Sequence, residues 1–111
     1  MGTGRRPGGD EQGVFAALAD PTRRRLLELL AETGRASATV LACQVPVSRQ
    51  MVVKHLRLLE AAGLVRGIRS GREVLYAGRT AALDNSARWL IELSRTCHRA
   101  GNGISGPAPE L

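Results

Sequence analysis

The fold is decided by residues 47–63, VSRQMVVKHLRLLEAAG, which have the pattern of one amphipathic helix with a marker at each end. Ser48 is a preferred N-cap, and Gly63 suits the left-handed position that closes many helices. Three aliphatic residues recur at spacings of three and four and share one face: Val52, Leu56 and Leu59. The sequence therefore predicts a helix over residues 48–62 with one face in a core and a polar face outside.

The segments on both sides of this helix complete a recognisable motif. Upstream, a shorter helix is predicted over residues 38–44, and Pro46 ends it, which leaves two helices joined by a tight link. Downstream, residues 64–69 and 73–77 are β-capable runs, and Ser70-Gly71 between them favours a tight hairpin. A hairpin directly after the second helix of such a pair is a wing.

Three further helices are predicted around this motif. A short apolar stripe of Val14, Phe15 and Leu18 indicates the first, and Asp20-Pro21 begins another that ends before Gly34. The last covers residues 81–98 and carries apolar residues on two sides, so it should pack on its own domain and on a partner. The expected fold is mainly α with a small β-hairpin, a winged helix-turn-helix of about five helices and a two-stranded wing.

The charge of the chain is concentrated around the central motif. The 111 residues carry 16 basic and 10 acidic side chains, a net charge of +6. Residues 47–79 alone hold seven basic and two acidic residues, a net +5. Such a basic segment is typical of proteins that bind polyanions. Arg23, Arg24 and Arg25 stand in the first turns of a helix, where they either face an anion or form a solvated face.

Composition also sets the domain limits and excludes several classes of protein. Residues 1–12 and 101–111 are rich in Gly and polar groups and are expected to be disordered tails of a single domain, residues 13–100. No signal peptide or membrane-length apolar run is present, and two cysteines make no disulfide framework. We therefore expect a cytoplasmic protein with reduced thiols. No catalytic arrangement or cofactor site is apparent, so an enzyme is not expected.

The polar face of the 48–62 helix has the chemistry that reads double-stranded DNA. Arginine bonds guanine, glutamine bonds adenine and an aliphatic side chain packs on a thymine methyl group, while helix N-termini and wing arginines suit phosphates or the minor groove. Gln50 and Arg49 are the preferred candidates for base contacts, although any one of the set could contact the backbone instead. The predicted DNA-binding residues are Ser48, Arg49, Gln50, Val53, Lys54, His55, Arg57, Arg66, Arg69 and Arg72.

The chain resembles the arsenical-resistance regulator (ArsR) family of winged-helix repressors between about Phe15 and Ser94. The motifs that carry the resemblance are LADPTRRR (residues 18–25), PVSRQ (46–50), KHLRLLEAAGLV (54–65), GRE (71–73) and Tyr76. The resemblance implies a homodimer that binds imperfect palindromes in promoters, formed largely through the first and last helices, with a nucleoid-associated repressor role. The predicted dimer residues are Val14, Phe15, Leu18, Leu83, Ala87, Leu90, Ile91 and Ser94.

The resemblance does not carry over the family's best-known inducer sites. At the positions that match the arsenic-sensing cysteines stand about Glu32, Gly34 and Ser37. At the zinc-sensing positions stand Asp84, Ser86, Cys97 and Ala100. Only Asp84 fits, Cys97 is a possible but different ligand, and these two donors do not make a tetrahedral site. We therefore expect no metal site, and the inducer is not identified.

Two alternatives to a simple repressor remain at this point. The first is a metal- or thiol-responsive sensor that uses Cys97, together with Cys43 or His98; the plain interpretation is that Cys43 is a small buried side chain and that Cys97 and His98 lie at a frayed helix end. The second is a winged-helix module that binds an acidic protein through its arginine-rich face.

Overall fold

The computed structural model describes residues 10–101 and contains five helices and three strands within that range. Residues 10–12, which the prediction placed in the N-terminal tail, form the first turn of the first helix, and Gly101, the first residue of the predicted C-terminal tail, lies in a turn; the rest of both tails lies outside the described residues. In chain order the elements are α1 (Asp10–Leu18), α2 (Pro21–Thr33), β1 (Arg35–Ser37), α3 (Ala38–Ala42), α4 (Arg49–Ala61), β2 (Val65–Ser70), β3 (Glu73–Gly78) and α5 (Ala81–Arg99).

Short polar residues and glycines set the helix boundaries where the sequence indicated them. The Asp20 carboxylate accepts hydrogen bonds from the backbone N–H groups of Thr22 (2.7 Å) and Arg23 (3.1 Å), so it caps α2. Gly34 closes the same helix at φ +89°, a conformation that side-chain-bearing residues rarely adopt. Ser48 caps α4 by accepting a hydrogen bond from the Met51 N–H at 3.1 Å. Both predicted caps are therefore confirmed.

The link between α3 and α4 departs from the prediction at one end. α3 stops at Ala42 rather than Gln44, and the turn that follows carries Cys43 outward. Cys43 is exposed, with its thiol directed to the Thr39 carbonyl at 3.4 Å, so the interpretation of Cys43 as a buried side chain was wrong. Val45, two residues later, is buried in the core and so anchors the link between α3 and α4.

The wing is an antiparallel sheet of three strands, in the order β1-β3-β2. β2 and β3 pair from Val65↔Gly78 to Ser70↔Glu73, which leaves the two-residue loop Gly71-Arg72. Gly71 has φ +63°, as the first position of a tight type II′ hairpin requires. The sequence analysis predicted two strands; the third, β1, pairs with the other side of β3 through Arg35↔Ala77.

Leucines and valines from the helices and from the start of β2 form one core beneath the motif. The largest fully buried side chains are Leu26, Leu30, Leu41, Leu56, Leu59, Leu64, Val14, Val52 and Val65. Val14 has no accessible surface in the protomer, so it belongs to the core and cannot touch a partner as the sequence analysis expected. α5 rests mainly on α1, where Phe15 and Trp89 place their ring centroids 5.7 Å apart. None of the helices in residues 10–101 is both long and apolar enough to span a bilayer.

Candidate nucleic-acid interface

Helix α4 presents the two faces that its sequence predicts. Val52, Leu56 and Leu59 are completely buried against the core. Gln50 and Lys54 are exposed and point away from the core. They lie about 100° and 140° around the helix axis from Arg49. The outer ridge of α4 therefore offers an amide and an ammonium group to solvent, both able to hydrogen-bond base edges or phosphates.

Arg49 and Arg57 occupy the flank of α4 that faces the wing. The Arg49 Nε donates a hydrogen bond to the Thr39 hydroxyl on α3 at 3.0 Å. Arg49 and Arg57 line, together with the half-buried Val53, a cleft that the wing closes on its other side. Arg49 is thus held toward the cleft, whereas Gln50 and Lys54 do not line it. Sequence reasoning missed Thr39, because nothing in its local pattern indicates a partner ten residues away.

The three wing arginines do not act as one group. Arg69 pairs with Val74, on the sheet face that also carries Tyr76 toward α4, and Arg72 follows at the hairpin loop. Arg66 pairs with Ala77 and therefore lies on the opposite face, about 10 Å from Arg69 along the strand. The structure brings Arg72 to the cleft with the α4 arginines and keeps Arg66 apart.

A direct link fixes the wing against the end of α4. The Gly67 N–H donates a hydrogen bond to the Glu60 carboxylate at 3.2 Å. A Cβ at Gly67 would lie 3.0 Å from Val74 Cγ1 and 3.2 Å from Tyr76 Cε1, so only glycine fits without a shift of these neighbours. Glu60 and Gly67 thereby set the angle between helix and hairpin. Sequence analysis included Glu60 in the charge count and in the family motif but assigned it no contact.

His55 joins α4 to the corner between α1 and α2. The Arg23 Nη1 lies 3.2 Å from His55 Nδ1, within hydrogen-bond distance. Arg23 also donates to the Ala17 carbonyl at 2.7 Å, and Arg24 donates to the Leu18 carbonyl at 2.7 Å. These two arginines thus provide hydrogen-bond donors for carbonyl groups at the C-terminal end of α1, where the helix dipole is negative. The sequence analysis did not consider this helix end as their partner.

The cations of α4 and the wing are free of acidic partners within the described part of the chain. The ion pairs found there join Arg25 to Glu28 and Glu32, and Arg95 to Glu92. The exposed cations Arg49, Lys54, Arg57, Arg69 and Arg72 take part in none of these pairs. Three of them, Arg49, Arg57 and Arg72, line one cleft, and their combined field attracts polyanions.

The second half of α5 carries a separate, apolar surface. Leu90, Ile91 and Leu93 are 49%, 51% and 47% exposed, although they continue a helix whose first half packs on the domain. Ala87 and Ser94 are also exposed, whereas Phe15, Leu18 and Leu83 are half-buried against their own protomer. Among the predicted dimer residues, those of the second half of α5 thus offer the most free apolar area.

The candidate sensor residues are not gathered into a site. Cys43 follows α3 and Cys97 lies near the end of α5, both exposed, and the ring Nδ1 of His98 lies 2.8 Å from the Ser94 carbonyl. Within residues 10–101, no group of three or more His, Cys, Asp or Glu side chains is arranged to hold a metal ion.

Comparison with known proteins agrees with this arrangement. A family model described as a helix-turn-helix domain matches residues 18–68. The transcriptional repressor SdpR of Bacillus subtilis is 33% identical over 78 residues, which cover 70% of this chain and 86% of SdpR.

Solved structures extend the likeness to the whole fold. An ArsR-like transcriptional regulator from a Rhodococcus species superposes with a TM-score of 0.74 at 41% identity, over 82% of this chain and 85% of that one. A homodimeric winged helix-turn-helix DNA-binding domain of Mycobacterium bovis, described as a possible ArsR-family transcriptional regulator, superposes with a TM-score of 0.62 at 25% identity, over 88% and 92% of the two chains. The chain thus belongs to the ArsR family of winged helix-turn-helix transcriptional regulators, and it is not an enzyme.

Proposed function

We propose that this regulator is a repressor that binds palindromic promoter sites in double-stranded DNA as a homodimer, in the cytoplasm and in association with the nucleoid. The observation that carries the proposal is the outward ridge of α4 beside a wing with cationic side chains, none of which has an acidic partner within the described residues. An α-helix fits the major groove, and the adjacent hairpin then reaches the neighbouring minor groove.

The homodimer is supported by the uncovered apolar strip on α5. Three half-exposed aliphatic side chains within four residues are costly to leave in water, and a second copy of the same helix covers them symmetrically. The homodimeric state of the M. bovis relative supports the same assembly. A two-fold dimer presents two copies of α4, which suits half-sites about 34–36 Å apart on the duplex.

The proposal is tested by titrating the full chain against a labelled duplex from the promoter of its own gene. We expect two chains per duplex, a footprint with two-fold symmetry, and affinity that falls steeply as salt rises from about 50 to 200 mM. A scrambled duplex of the same length and composition is the control and should bind far more weakly. Affinity that is independent of salt, or equal for the two duplexes, would contradict the proposal.

A second outcome would favour the protein-interaction alternative. If the chain binds no duplex at any salt concentration, the repressor proposal is wrong, and an acidic protein becomes the next partner to test for the basic surface. The repressor role itself is tested by transcript levels after deletion of the gene, which should rise for the promoters that the protein occupies.

A further inference from the structure

The cleft between α4 and the wing is a separate feature from the outer ridge of α4. It has a volume of about 360 Å³ and receives Arg49 and Arg57 from the helix and Arg72 from the hairpin loop. The floor includes Val53, and Glu73 contributes the one carboxylate of the lining. The cleft therefore carries a net charge of about +2, on guanidinium groups that approach from both walls.

DNA geometry determines what such a cleft would enclose. When a helix lies in the major groove and the adjoining hairpin reaches the neighbouring minor groove, one phosphodiester strand separates the two grooves and must pass between the two elements. Arginine binds phosphate oxygens bidentately and more strongly than a neutral donor does. Three arginines around one opening thus have the chemistry that the intervening strand requires.

The orientation of Arg49 distinguishes it from its neighbour in sequence. Its hydrogen bond to Thr39 holds the guanidinium on the cleft side of α4, about 100° away from Gln50. Gln50 and Lys54 stand on the ridge that would enter the major groove, and neither lines the cleft. Arg49 therefore has different surroundings from Gln50 and Lys54.

We propose that Arg49, Arg57 and Arg72 clamp one phosphodiester segment of the DNA backbone in this cleft, so that Arg49 fixes the register while Gln50 and Lys54 read the bases. This inference rests on the proposed function, since it assigns roles within the same interface. It departs from the sequence-based preference for Arg49 as a base-contacting residue. Glu73 opposes the bound phosphate and limits the affinity.

The test measures affinity against salt for the full-length dimer on its preferred duplex and on duplexes with single base-pair changes. Each phosphate contact contributes about −0.9 to the slope of log affinity against log salt, and each variant removes two contacts per dimer. Arg49→Ala should therefore reduce the slope by about 2 and weaken all duplexes by the same factor. Arg49→Lys should keep most of the slope, because it keeps the charge.

Three further variants separate the clamp from base reading. Gln50→Ala should leave the slope unchanged and reduce the discrimination between duplexes at one position of each half-site by about 10-fold or more. Glu73→Gln should raise the affinity for every duplex, because it removes a negative charge from the cleft. Arg25→Ala is the matched control, since Glu28 and Glu32 already neutralise that arginine, and its slope should equal that of the wild type.

The result that would overturn the inference is equally specific. If Arg49→Ala changes the rank order of the duplexes and leaves the slope intact, Arg49 reads bases and the clamp does not exist. Arg57→Ala repeats the slope measurement with a second exposed arginine, should the first variant lose its fold. If the wild-type chain binds no DNA at all, the proposed function is refuted. The clamp is judged separately, from the differences between the variants and the wild type.

Discussion

Replacing Leu90 by alanine should weaken the homodimer about 30-fold, and the structure allows the size of this effect to be worked out. Leu90 is 49% exposed in the protomer. Complete burial of a leucine side chain contributes about 2 kcal/mol, so covering the remaining half contributes about 1 kcal/mol. A two-fold interface contains two copies, which gives about 2 kcal/mol for the dimer and about a 30-fold change in its dissociation constant.

Sedimentation equilibrium over a range of protein concentrations measures this constant directly. The control is Ile68→Ala on β2, which also removes three carbon atoms, from a side chain that is 39% exposed and lies on the wing. Its dissociation constant should equal that of the wild type. The reasoning is refuted if Leu90→Ala dimerises as tightly as the wild type, or if the two variants lose the same affinity.

Two further predictions concern the stability of the protomer. Hydrogen bonds from the backbone N–H groups of Arg23 and Thr22 hold the pKa of Asp20 below its ordinary value, so this carboxylate stabilises the native state at neutral pH and that contribution is lost as the pH falls through its native pKa. Asp20→Asn keeps the capping oxygen. Its urea midpoint should therefore fall less than that of the wild type between neutral pH and about pH 3. Equal falls in the two proteins would contradict a stabilising role of the Asp20 carboxylate. Gly67→Ala should destabilise the domain by about 1–2 kcal/mol in urea unfolding, because its Cβ would press on Val74 and Tyr76. Gly78→Ala, in the same sheet but with no heavy atom within 4 Å of the added carbon, is the control, and a similar loss in both variants would count against the steric explanation.

Local patterns predicted most of this fold because its boundaries depend on residues close in sequence. The caps at Asp20 and Ser48 act within a few residues, so the sequence shows them directly. The hairpin was predicted too, but its loop is Gly71-Arg72 rather than Ser70-Gly71, because Ser70 pairs with Glu73. β1 has no such pattern: three residues become a strand only because β3, about forty residues later, pairs with them. The exposure of Cys43 was not predicted because it depends on where the short helix α3 ends.

The candidate site likewise combines features that local sequence predicts with features that depend on contacts between elements. The outward face of α4 follows from helical periodicity, and the exposure of Gln50 and Lys54 agrees with it. The side on which Arg49 lies could not be predicted, because it depends on Thr39 in another helix and on the position of the wing. The partners of Arg23 and Glu60 are likewise tertiary contacts. Periodicity identifies the surface, and packing assigns the roles within it.

The hydrogen bond between Glu60 and Gly67 also bears on the solubility of the protein. β2 is an outer strand of its sheet, and outer strands with unpaired amide groups are templates for strand addition and aggregation. The Glu60 carboxylate occupies one of those amides, while Arg66 and Arg69 would bring like charges together if two copies met along β2. Both features disfavour the pairing of two copies along β2.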